Sequence, residues 1–213
     1  MNDIIMNVME IIGTIAFSIS GTLVAISCGL DLFGVVFLGI ITAVGGGIVR
    51  DVLMGVYPPA IFSDVHILLI GGLTSVIVFA IAYINNKKFK LMCEKIEPVN
   101  NVFDAIGLSV FTVMGTEAAC LSGFSDKACF VIIMGMLTGV GGGLFRDVLV
   151  SKPPYILTKH IYALASLFGS LTYYAIRIYG NNSILASIVC ILLVMAIRML
   201  ATKYEWKLPK VHI

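Results

Sequence analysis

One phrase occurs twice in this chain: Gly45-Gly46-Gly47-Ile48-Val49-Arg50-Asp51-Val52-Leu53 and, 96 residues later, Gly141-Gly142-Gly143-Leu144-Phe145-Arg146-Asp147-Val148-Leu149. Each copy closes a long apolar stretch, and each runs on into a double proline, Pro58-Pro59 and Pro153-Pro154. Glycine weakens a helix by about 1 kcal/mol per residue. An Arg-Asp couple is costly in hydrocarbon. A chain that carries both features twice reads as two copies of one membrane unit, and the doubled phrase is where function is to be sought.

Composition agrees with a membrane setting. Of the 213 residues, 59% are apolar and 12% charged, with a mean hydropathy of +1.04. A soluble domain carries about 25% charge, so the fold class expected is an all-α integral membrane protein. Five cysteines (Cys28, Cys93, Cys120, Cys129, Cys190) show no C-x-x-C spacing and an odd total, which favours packing over disulfides or zinc. Asp3 and Glu10, with no Lys or Arg before the first apolar run, do not look like a cleavable leader. The first segment is therefore expected to remain as a span.

A helix crosses the hydrocarbon with about 20 apolar residues. Seven spans fit that length, near residues 5–27, 33–55, 66–85, 102–121, 128–150, 159–179 and 183–201. Residues 86–101 form a basic linker and residues 202–213 a tail. With the N-terminus on one side, the opposite side receives eleven of the fourteen Lys and Arg residues. The positive-inside rule then places the N-terminus outside, and the linker and C-terminus in the cytoplasm.

The likeness between the halves extends past the glycines. At an offset of 94, Glu10, Gly13, Phe17, Ser18, Gly21, Thr22 and Ala25 fall on Asp104, Gly107, Phe111, Thr112, Gly115, Thr116 and Ala119. At an offset of 96, Gly39, Thr42, Ala43 and Gly47 fall on Gly135, Thr138, Gly139 and Gly143. Three spans per unit is an odd number, so the second copy enters from the opposite side. The chain is expected to be one membrane domain: repeat 1 over 5–85, an inverted repeat 2 over 102–179, and a seventh helix over 183–201. Inverted repeats of this kind carry a transport path at their interface, on interrupted helices.

Three sets of residues offer chemistry. Gly45, Gly46, Gly47, Gly141, Gly142 and Gly143 would bend a helix and bare carbonyl oxygens along a path. Alternatively, Gly39-x-x-x-Ala43-x-x-x-Gly47 and Gly135-x-x-x-Gly139-x-x-x-Gly143 are small-residue packing stripes, and both readings can hold together. Arg50, Asp51, Arg146 and Asp147 follow. Neighbours on a helix point about 100° apart, so each is expected to pair on another helix, either fixing register or forming the charged rims of a path. Ser18, Thr22, Thr42, Thr112, Thr116 and Thr138, with Thr14, would supply uncharged oxygens suited to alkali cations, or ordinary packing with bonds to their own backbone. Glu10 and Asp104 are expected near helix N-termini. Glu117 is a candidate mouth carboxylate.

Other chemistries find no support. No Gly-Lys-Ser or Gly-Lys-Thr follows the triplets, so they are not a P-loop. His66, His160 and His212 have no metal spacing, and no Ser-His-Asp arrangement or cofactor motif stands out. The basic tail reads as a membrane anchor, with no nucleic acid as partner.

Two G-G-G-x-x-R-D-x-L motifs in inverted three-helix repeats with a seventh helix resemble the prokaryotic trimeric intracellular cation (TRIC) channel family, some of whose members carry a glycine-transporter label. The resemblance covers residues 5–201. It implies a homotrimer in a prokaryotic inner or plasma membrane, a pore in each subunit, helices two and five bent at the triplets, and potassium as the permeating ion. No enzyme activity is implied, and no metal beyond the permeating cation. Membrane lipids are further partners. Animal members carry a Lys-Glu motif in helix four tied to anionic lipid, whereas this chain has Thr116-Glu117-Ala118 there. A secondary transporter for a small solute such as glycine suits inverted repeats equally, and a purely structural membrane protein is a third reading.

Overall fold

A computed structural model describes residues 3–63, 65–84, 96–158 and 161–206. Among them run seven long helices: α1 (Asp3–Ser27), α2 (Leu32–Leu53), α3 (His66–Ile84), α4 (Ile96–Ala119), α5 (Ala128–Leu149), α6 (Tyr162–Tyr179) and α7 (Ser183–Lys203). A single helical turn, Tyr155–Thr158, lies between α5 and α6. Six long helices have the length and apolarity to cross a membrane; α6, interrupted by Ser166, Ser170, Thr172 and Arg177, is not among them.

Six of the seven begin and end within three residues of the expected spans. The exception is α4, which begins at Ile96, inside the expected linker. Glu97 and Pro98 explain the early start, because an acid and a proline both favour a first helical turn. Linker residues 86–95 and tail residues 207–213 lie outside the described residues, as do Lys159 and His160. Past Ala119 the helix widens into a π-turn, Cys120–Phe124, and ends at Gly123 with φ 86°.

Local chemistry sets the ends of α2 and α5 alike. Asp31 caps α2 by accepting from the Gly34 N–H at 2.8 Å. At the far end Gly55 turns left-handed (φ 74°) and the Val56 N–H returns to the Asp51 carbonyl at 2.9 Å. In α5 the same turn uses Ser151 (φ 55°), and the Lys152 N–H returns to the Asp147 carbonyl at 2.9 Å. Both are Schellman-type endings.

The packing is reciprocal. On α1 and α4, Gly13 lies against the Phe111 ring and Gly107 against the Phe17 ring, and the two rings stack with centroids 5.3 Å apart. On α2 and α5, Gly46 abuts the Thr138 carbonyl oxygen and Gly142 abuts the Thr42 carbonyl oxygen. Each contact thus has a partner contact made by the corresponding residues of the other half. Outside this four-helix centre, α3 packs on α1 and α2, α6 correspondingly on α5 and α4, and α7 on α6 and α4.

Candidate functional site

α2 and α5 are helical straight through their glycine triplets. Their glycines serve close approach: a Cβ on Gly46 or Gly142 would invade a carbonyl of the opposite helix. One on Gly141 would come within 2.8 Å of the Gly46 Cα, and one on Gly45 within 2.6 Å of the Phe145 ring. One on Gly143 would come within 2.6 Å of the Tyr162 hydroxyl. Gly47 alone of the six has open space, its nearest neighbour being Arg50 Nη2 at 3.9 Å. Backbones meeting this closely are what small-residue membrane interfaces provide.

The Arg-Asp couples depart from expectation. Arg50 Nε donates to Asp51 Oδ1 at 2.9 Å, and Arg146 Nε donates to Asp147 Oδ1 at 2.8 Å. The ~100° separation of neighbouring residues is overcome because the guanidinium, at the end of a long stem, wraps back around the last helical turn. The second carboxylate oxygen has a task of its own. Asp51 Oδ2 accepts from the Ala60 N–H at 2.9 Å, and Asp147 Oδ2 accepts from the Tyr155 N–H at 2.8 Å. Both amides directly follow a double proline, so the aspartate joins the helix end to the returning loop.

The surroundings of the two couples differ. Arg50 and Asp51 border a cavity of about 210 Å³, together with Glu10, Gly47, Ile67 and Phe111. Arg146 has no exposed side-chain surface. It donates from Nη1 to Asp104 Oδ1 at 2.7 Å and to the Ser20 hydroxyl at 2.6 Å, while Ser20 donates to Asn100 Oδ1 at 2.8 Å. Asp104, expected at a helix N-terminus, is instead buried within α4 as the partner of Arg146. Glu117, expected at a mouth, is buried against the Tyr173 hydroxyl (2.8 Å) and Arg177 Nε (3.4 Å), holding α4 to α6.

All six hydroxyl residues are buried. They sit in the seams within each half. Thr22 and Ser75 flank Gly39, and Thr116 and Ser170 flank Gly135. Thr42, Thr138 and Thr112 each donate at 2.6 Å to the carbonyl four residues back, and Thr116 does so at 2.7 Å. The hydroxyls of Thr14, Ser18 and Thr22 have no hydrogen-bond partner among the described residues. Sequence reasoning missed Tyr162 and counted Arg198 only as part of a basic end. The available signal was an arginine inside an otherwise apolar helix, which demands a partner.

Helices of this length and apolarity, crossing on glycine with buried charge at one end and a cavity at the other, define an α-helical integral membrane protein. A family model described as "Glycine transporter" matches the chain twice, at residues 7–83 and 101–177. A UPF0126 inner membrane protein of Escherichia coli K12, YadS, is 35% identical over 94% of this chain and 93% of its own length. A UPF0126 membrane protein of Vibrio cholerae is 33% identical over 94% of this chain and 80% of its own. A prokaryotic TRIC channel solved in 0.5 M KCl superposes with a TM-score of 0.86 at 38% identity, covering 97% of this chain and 100% of that one. The trimeric intracellular cation channel orthologue of Rhodobacter sphaeroides superposes with a TM-score of 0.83 at 29% identity, covering 95% and 99%. The chain belongs to this family, the prokaryotic TRIC channels.

Proposed function

We propose that the protein is a potassium-permeable cation channel, a homotrimer in which each subunit carries its own path between two inverted repeats. One observation carries this reading: α2 and α5 cross reciprocally on glycine, with charged helix ends on either side of the crossing. Reciprocal contacts are what a two-fold relation between the halves produces. Ions would enter past the cavity at Arg50 and Asp51, cross where α2 meets α5, and leave past Arg146 and Asp147. Bending at Gly45–Gly47 and Gly141–Gly143 would part the helices there. The hydroxyls of Thr42 and Thr138 favour such a bend, because back-bonding to the preceding turn tilts helices and both sit just before the triplets.

Once the helices part, buried oxygens become available to a cation. Ser18 and Thr22 bring unpartnered hydroxyls, and Thr112 and Thr116 bring theirs from the other half. Hard oxygen donors suit alkali ions. In this reading all seven long helices span the inner or plasma membrane, with α6 shielding its polar face against α4, the N-terminus outside and the C-terminus in the cytoplasm. The basic linker and tail would meet anionic lipid on that side.

The test is recording from purified protein in planar bilayers under bi-ionic conditions. Unitary currents that reverse at a potassium-selective potential support the channel. Saturable counterflow of glycine in proteoliposomes, without unitary currents, would replace this reading with a transporter.

A further inference from the structure

The two charged helix ends follow one plan and are left with different charge. At the second end Arg146 takes both Asp147 (2.8 Å) and Asp104 (2.7 Å). One arginine between two carboxylates would leave a net negative charge in a fully buried place, which is costly. The balance comes from α7, whose Arg198 brings Nη2 to 3.9 Å from Asp104 Oδ2 and covers the Tyr162 ring at 4.7 Å. Two arginines then face two aspartates, and the second end is neutral.

The first end has the same parts except the last. Glu10 holds on α1 the position that Asp104 holds on α4, and Arg50 and Asp51 correspond to Arg146 and Asp147. α7 follows the second repeat and has no counterpart in the first. Glu10, Arg50 and Asp51 all border the cavity of about 210 Å³. Arg50 is matched by Asp51, whose Oδ1 lies 2.7 Å from its Nη2. The charge that this lining carries beyond the couple is therefore that of Glu10, which is half-buried. Much of the remaining wall is apolar: Val44, Ile48, Ile67, Phe111 and Met114. Walls of low dielectric focus the field of a charge into the space they enclose. A water needs about 10–15 Å³ of such space, so an alkali ion fits with several of its waters.

We propose that Glu10 is the specificity-determining residue of the first mouth. Its charge concentrates hydrated alkali cations on the Arg50 side of the path, whereas the neutral second end does not. The inference rests on the channel reading, yet its first test needs no current. Ala60 is exposed and borders the cavity. Ala60→Cys is modified with two methanethiosulfonates of similar size, one bearing a trimethylammonium group and one a sulfonate. Each rate is taken as the difference from the same chain lacking that cysteine. Their ratio reads the sign and strength of the local potential.

At low ionic strength Glu10→Gln should lower the cation-to-anion ratio about three- to tenfold, while Glu10→Asp keeps it. In 1 M KCl, where the Debye length is about 3 Å, the chains should converge. An unchanged ratio in Glu10→Gln overturns the proposal whether or not the chain conducts. Should Glu10→Gln not assemble, Glu10→Met, matched in size and apolar like the walls, takes its place. Planar bilayers then test direction, with orientation set by the side from which Ala60→Cys is labelled. In dilute KCl, Glu10→Gln should lower the current of potassium entering from the Arg50 side about two- to fivefold. Current entering from the Arg146 side should hold. Equal loss in both directions, or no loss, overturns the proposal and leaves the channel standing. A shifted ratio without any current keeps the field assigned to Glu10 and removes the channel reading instead.

Discussion

Gly46 and Gly47 are sequence neighbours with opposite surroundings, and substitution separates their roles. A methyl on Gly46 meets the Thr138 carbonyl of the facing helix, whereas one on Gly47 meets only the end of the Arg50 side chain. Overpacking at a tight contact costs about 1–3 kcal/mol, so Gly46→Ala should lower the thermal midpoint in detergent while Gly47→Ala leaves it unchanged or slightly raised. Ser151 offers the opposite prospect. It occupies a left-handed conformation that Gly55 fills in the first half. Ser151→Gly should therefore gain about 0.5–1 kcal/mol from relieved backbone strain, read as a higher unfolding midpoint.

Helix ends carry the next level of organisation. Each aspartate binds its own neighbouring arginine and the amide after the double proline, so helix, charge and loop form one unit. Asp147→Ala removes one of the two carboxylates paired with the fully buried Arg146, leaving its Nε without that partner, and should cost about 3–5 kcal/mol. Asp51→Ala leaves Arg50 at the edge of a cavity, where its side chain is 16% exposed, and should cost about 1–2 kcal/mol. Chemical denaturation of the two variants side by side checks the order, and equal losses would contradict it. This unit also marks how far the sequence could be read. Spans and the doubled motif were legible because apolar length and spacing are one-dimensional quantities. The Arg-Asp pairing was not, since it depends on how a long side chain folds back at a helix end. Glu117 was misplaced for a related reason: Tyr173 and Arg177, which bury it, lie more than fifty residues away. The hydroxyls were legible as a set matched between the halves, but which seam they enter depends on the rotation of α1 and α4, set by Gly13, Gly107 and their opposing rings.

For the whole molecule, the reciprocal centre predicts coupled energetics. Phe17 and Phe111 stack on each other while each also fills the other helix's glycine notch. Phe17→Leu and Phe111→Leu should destabilise by similar amounts, and the double variant should fall short of their sum by about 0.5–1.5 kcal/mol. A double-mutant cycle in detergent measures this. Assembly is checked by the mass of the purified complex, expected at three copies of the chain.

The reciprocal glycine contacts constrain how such a protein can come to have a direction. At the central crossing a side chain on Gly46 or on Gly142 would invade the facing Thr138 or Thr42 carbonyl, so both halves keep glycine at that pair. Differences gather around it, where Gly45 meets the Phe145 ring while Gly141 meets the Gly46 backbone, where Leu23 answers Glu117, and on α7, which answers to nothing. An inside and an outside are thus written around a pair of contacts that cannot itself tell them apart.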